Sequence, residues 1–119
     1  MKICIPTNND GGLEDSVCEH FGRAPTYTVV DTDTGHVRVI RNSSEHMGGA
    51  GKPPEQIAAT GADVLVCSGL GPRAIDMLCS YGIAVYIGAT GTVKQAVESY
   101  KRGSLTPASK EAACKEHRH

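Results

Sequence analysis

Glu19-His20-Phe21-Gly22-Arg23 places an imidazole, a guanidinium and the chain's only phenylalanine within five residues, and a thiol, Cys18, stands just before them. A neutral imidazole nitrogen binds borderline and soft metals, a nearby thiolate can join the same centre, and a planar guanidinium pairs with anions. His20 and Cys18 are therefore candidate metal ligands, Arg23 is a candidate counter-charge, and Phe21 and Gly22 shape the contact between them. His46 is a third candidate ligand. It precedes Gly48-Gly49-Ala50-Gly51, where missing side chains let backbone amides approach an anion closely. Gly69 and Gly71 have the same character ahead of a helix whose first amides and positive dipole end attract negative charge. This is no nucleotide loop, because the G-x-x-x-x-G-K-[ST] lysine is missing and Pro72 removes an amide. Each residue also has a plainer alternative: His20 can hydrogen-bond its own loop, Arg23 can sit in an ordinary salt bridge, and Cys18 can pack as a small hydrophobe. Cys114-x-x-His117-x-His119 is a further set of soft ligands, one short of a closed tetrahedral zinc site.

The elements that must position these groups are legible from breakers and periodicity. Lys2-Ile-Cys-Ile-Pro6 reads as a central strand that stops at Asn8-Asn9-Asp10-Gly11-Gly12 and opens a long loop. Residues 26 to 31 and 36 to 41 form a hairpin across Thr32-Asp33-Thr34-Gly35. Pro53 and Pro54 open a helix that Gly61 closes, and Asp63-Val64-Leu65-Val66-Cys67 is apolar without alternation, as a strand buried on both faces should be. Ala74, Ile75, Leu78 and Cys79 give helical spacing up to Gly82; Ala84 to Ile87 is the next strand; Thr92 and Gln95 stand in capping-box spacing ahead of a last helix that ends at Gly103. Cys4 and Cys79 read as core, and Cys67 as a buried structural thiol. Beyond Leu105 the pattern is lost, so residues 106–119 read as a mobile tail. The order predicts a single mixed five-stranded α/β sheet flanked by three helices, with ligands beyond the carboxyl ends of its parallel strands. Three loops leave those ends, over residues 7–25, 68–71 and 88–91.

Composition removes several classes of function. Twelve Lys and Arg against 13 Asp and Glu leave no basic stripe for duplex nucleic acid. No apolar run approaches a membrane span or a signal segment, which points to a cytoplasmic protein. Five unclustered cysteines in a chain of 119 residues read as reduced thiols rather than a disulfide framework.

Met-Lys-Ile-x-Ile-Pro, Glu19-His20-Phe21-Gly22-Arg23-Ala24, Gly48-Gly49-Ala50-Gly51, Gly69-Leu70-Gly71-Pro72-Arg73-Ala74 and Gly88-Ala89-Thr90-Gly91-Thr92-Val93, taken together and in this order, resemble the dinitrogenase iron–molybdenum cofactor biosynthesis family over residues 1–105. The resemblance implies a ribonuclease-H-like three-layer fold. It also implies a non-catalytic protein that binds or carries an iron–sulfur-type or iron–molybdenum-type cluster, with a protein donor or acceptor of that cluster as partner. The family motif extends to His20; Cys18 rests on its chemistry alone. Two other readings differ in class. A regulatory domain would bind an anionic small molecule or a protein partner in the same crevice. A two-metal nuclease would need converging acids, whereas Asp63 begins its strand at the wrong end and Asp31 and Asp33 fall on the opposite side by connectivity.

Overall fold

A computed structural model describes residues 1–42 and 53–109. The strands are β1 (Lys2–Thr7), β2 (Thr26–Asp31), β3 (Val37–Arg41), β4 (Val64–Val66), β5 (Ala84–Ile87) and β6 (Thr106–Pro107). The helices are α1 (Pro53–Ala59), α2 (Pro72–Ser80) and α3 (Val93–Lys101). One mixed sheet runs β3-β2-β1-β4-β5-β6, with β1, β4 and β5 parallel and the remaining pairings antiparallel.

Strand alternation sorts the core into two layers. Ile3, Ile5, Val64, Val66, Ala84 and Tyr86 face Val93, Ala96 and Val97 of α3. Cys4, Tyr27, Val29, Leu65, Cys67 and Val85 face Ile57 of α1 and Leu78 of α2. All of β4 is buried, which is why its sequence does not alternate. The hairpin turn closes on Gly35, whose φ of 78° suits a residue without a Cβ. The capping box forms as spaced: Gln95 N–H donates to Thr92 Oγ1 at 3.2 Å, and Thr92 N–H donates to Gln95 Oε1 at 2.9 Å.

The sheet has six strands, not five. The sixth lies inside the stretch that reads as tail, where Thr106 and Pro107 pair with Ile87 and Tyr86. Ala108 N–H donates to Val85 O at 2.8 Å, and Val85 N–H donates to Ser109 Oγ at 3.1 Å. A strand of two residues has no period to detect, and proline is tolerated because it sits on an edge. Cys79 is half-buried rather than core, while Cys4 and Cys67 are fully buried. His46, Gly48, Gly49, Cys114, His117 and His119 lie outside the described residues. No described helix is long and apolar enough to cross a membrane.

Candidate functional site

The long excursion after β1 is held in shape by one buried carboxylate. Asp15 Oδ2 accepts from Asn9 N–H at 2.9 Å, its Oδ1 accepts from Ser16 N–H at 2.8 Å, and its carbonyl accepts from Val93 N–H at 2.8 Å. Val17 N–H donates to Gly91 O and Cys18 N–H to Pro6 O, so the chain is tied on both sides before it reaches His20. The glycine loop at 88–91 thus braces the excursion. Gly91 must be glycine for this: its φ is 80°, and a Cβ would stand 2.1 Å from the capping Gln95 side chain.

Beyond Cys18 the chain turns sharply at Phe21–Arg23, a single 3₁₀ turn that drops Phe21 into the core and leaves His20, Gly22 and Arg23 exposed. This turn faces the loop before α2 across an open cleft of about 690 Å³, lined by residues 19–23 on one side and by Gly69, Leu70, Gly71, Arg73 and Ala74 on the other. Gly71 caps α2 with no side-chain hydrogen bond, and Pro72 follows it at the first position. The first intrahelical bond to Gly71 comes from Ile75 N–H at 3.2 Å, so the Arg73 and Ala74 amides have no acceptor within the helix. Glu19 adds one carboxylate to the rim.

The plainer alternatives can now be compared with the geometry. The His20 side chain caps nothing in its own turn. Among the described residues neither Arg23 nor Arg73 is ion-paired. The cleft offers one imidazole, two guanidiniums that form no salt bridge among the described residues, one carboxylate and a helix end, a set able to receive an anion. Cys18 is not part of the lining. It is buried beside Phe21, and its Sγ donates to His20 O at 3.6 Å, so it supports the turn from beneath. Burial pushes the Cys67 thiol up to about 12 and the Cys4 thiol higher still, which keeps both protonated in the core. No group of three described His, Cys, Asp or Glu side chains converges as a metal site.

Arg73, not singled out in the sequence, also lines the cleft. A cation in the first turn of a helix is mildly disfavoured by the dipole, and that is the signal its position carries.

The class defined so far is a small three-layer α/β domain with an anion-receptive cleft beyond the carboxyl ends of its parallel strands. The chain belongs to the family described as dinitrogenase iron-molybdenum cofactor, whose profile matches residues 1–103. No curated protein sequence matches it. Among solved structures it is similar to the apo form of the orange protein from Desulfovibrio gigas, with 28% identity, 90% of this chain and 92% of that one covered, and a TM-score of 0.78. It is also similar to a candidate NifB protein from Thermotoga, with 28% identity, coverage of 89% and 91%, and a TM-score of 0.74. A candidate dinitrogenase from Methanocaldococcus jannaschii shares the fold at 16% identity, coverage of 92% and 95%, and a TM-score of 0.69.

Proposed function

We propose that this protein is a non-catalytic carrier that holds an anionic iron–sulfur-type or iron–molybdenum-type cluster between the His20–Arg23 turn and the start of α2, for use in cofactor assembly. The observation that carries the reading is that His20, two arginines without a salt bridge among the described residues and a bare helix end line one cleft. An iron–sulfur centre clamped by four protein thiolates does not suit these residues, because the described cysteines are buried or half-buried and no three ligands converge. A cluster whose metals are bound mostly by its own sulfides does suit them. Such a cargo needs one replaceable ligand, His20, with hydrogen bonds and positive charge for the rest.

In this reading Arg23, Arg73, Gly69 and Gly71 neutralise and contact the anion, while Cys18 positions His20 through its carbonyl. His46, Gly48 and Gly49 complete the ligand set from the connection between β3 and α1. The order β3-β2-β1-β4-β5, with β2 reversed, supports the ribonuclease-H-like description of the sheet. The pairing of β6 favours a domain that extends to Ser109. We assign the carrier to the cytoplasm, where the thiols stay reduced, with a protein donor or acceptor of the cluster as its partner. The alternative cargo for the same cleft is an anionic small molecule in a regulatory domain.

The test is anaerobic incubation of apo-protein with ferrous iron, sulfide and molybdate, followed by gel filtration, metal analysis and visible absorbance. Wild type should retain iron and sulfide, and His20→Ala should retain at least about tenfold less at limiting metal. Wild type that emerges colourless and metal-free would reject the carrier reading and favour the regulatory one.

A further inference from the structure

The two edges of the sheet are built differently. β6 is two residues long and contains Pro107, so it offers a neighbouring strand little to pair with. β3, at the other edge, pairs with β2 without interruption over Val37–Arg41, contains no proline, and has no second neighbour among the described residues. Val37, Val39 and Ile40 are β-branched, and Val39 is exposed.

The bonds at the two ends of β3 fix the direction of its free backbone groups. Asp31 N–H donates to His36 O at 2.9 Å, and Asn42 N–H donates to Pro25 O at 3.0 Å. Antiparallel pairs alternate between those that exchange hydrogen bonds and those that do not, so His36, Arg38, Ile40 and Asn42 turn their backbone groups toward β2. Val37, Val39 and Arg41 turn theirs outward, where no backbone group among the described residues meets them. Their side chains share a face as well. Val37 packs on the α3 side of the sheet beside Leu13, which puts Val39 and Arg41 on that side and leaves Arg38 and Ile40 on the other.

A second copy of this edge is complementary to it in one register. Outward residues must meet outward residues, which leaves three central antiparallel alignments. With Arg38 opposite Arg38 of the other copy, like charges meet at close range. With Ile40 opposite Ile40, Val37 runs past the end of the facing strand. With Val39 opposite Val39, Val37 pairs with Arg41, Arg38 faces Ile40, all three outward residues of each copy exchange hydrogen bonds, and no arginine meets another.

We propose that β3 is the interface of a symmetric dimer, in which two copies join edge to edge through antiparallel pairing of Val37–Arg41 centred on Val39, continuing the sheet from one copy into the next. None of these residues lines the cleft at the His20–Arg23 turn, so each copy keeps its own cleft and the dimer stands or falls apart from the carrier reading. A contact one strand wide gives a dimer that dissociates on dilution.

Sedimentation velocity of the full chain, from low micromolar to near-millimolar concentration, should show a monomer–dimer equilibrium. Val39→Lys sets like charges opposite each other at the two-fold axis, and Val39→Pro deletes an N–H that points away from β2, so the β2 ladder keeps its bonds. Each variant should weaken dimerisation by about tenfold or more and melt within a few degrees of wild type at low concentration. Amide hydrogen exchange in wild type should slow with rising concentration at Val37, Val39 and Arg41, and stay constant at Arg38 and Ile40. A monomer at every concentration would overturn the proposal, as would a dimer that survives Val39→Lys. If Val39→Pro fails to fold, Val39→Lys decides alone. Protection of the three outward amides that is independent of concentration would show the edge to be covered within one chain and would also overturn it.

Discussion

The two ends of the parallel strands carry opposite chemistry. At the amino end Asp31, Asp33 and Asp63 gather around the start of the chain: the Met1 ammonium lies 2.6 Å from Asp33 and 3.9 Å from Asp31, and Lys2 N–H donates to Asp63 at 2.9 Å. Each of these carboxylates has a partner. At the carboxyl end Arg23 and Arg73 face an open cleft and form no salt bridge among the described residues, beside His20, Glu19 and the bare start of α2. One end carries its own salt bridges, and at the other the guanidiniums form none among the described residues. Asp31, Asp33 and Asp63 thus lie at the end away from the cleft. Unequal ends of this kind are what a domain needs if its ligand is negatively charged and its fold must stand without it.

Changes at the open end should break this contrast most visibly. His20→Ala is expected to reduce cluster retention most, by about a hundredfold if it is a direct ligand, with a melting temperature close to wild type because an exposed ring buries little apolar area. Metal analysis and differential scanning fluorimetry on the same samples check both halves. Because a protonated imidazole cannot coordinate, retention by wild type should also fall in mild acid, and His20→Ala should lose that dependence. Arg73→Ala and Arg23→Ala should each weaken retention by several-fold and flatten its decline with added salt, which titration at two ionic strengths would show. Equal salt dependence in wild type and the double variant would mean that the arginines only solvate the rim.

The sheet edge sharpens the comparison from the side of stability. Truncation after Leu105 removes β6 and both Val85 hydrogen bonds, and should cost about 1–3 kcal/mol in urea unfolding.

The smallest effects belong to the closed end. Asp31 is held below the ordinary carboxylate range, first by the Asp33 backbone N–H, so its contribution is present above the unfolded value of 3.8 and is lost as pH falls through the folded one. The amino terminus is held above 8.0, first by its bond to the Asp33 side chain, so its contribution is complete below 8.0 and is lost as pH rises through the folded value. Both groups are exposed, and screening keeps such pairs weak. Asp33→Asn should therefore shift the melting temperature at neutral pH by less than about 2 °C and leave cluster retention untouched.

Much of this architecture can be read from the chain. The hairpin turn at Gly35, the capping box at Thr92 and Gln95, the wholly apolar β4 and the placing of the acids away from the carboxyl ends all depend on interactions within a turn or on strand direction, and local chemistry specifies both. His20, Gly22, Arg23, Gly69 and Gly71 stand out in the sequence as ionisable groups beside irregular glycine-rich segments, and the structure brings them to one cleft. What local chemistry could not decide was the pairing of distant segments. The two-residue β6 exists only because β5 offers it an open edge. The 88–91 loop braces the excursion because Asp15 and Val17 meet Val93 and Gly91. Cys18 is buried although His20, two residues on, is exposed, because Cys18 is tied to Pro6 and packs in the core before the chain leaves it. Arg73 joins the cleft only because α2 starts opposite that turn. Types and spacings of residues set each element and its chemistry; burial and facing partners, which depend on contacts tens of residues apart, decided which of those groups share a site.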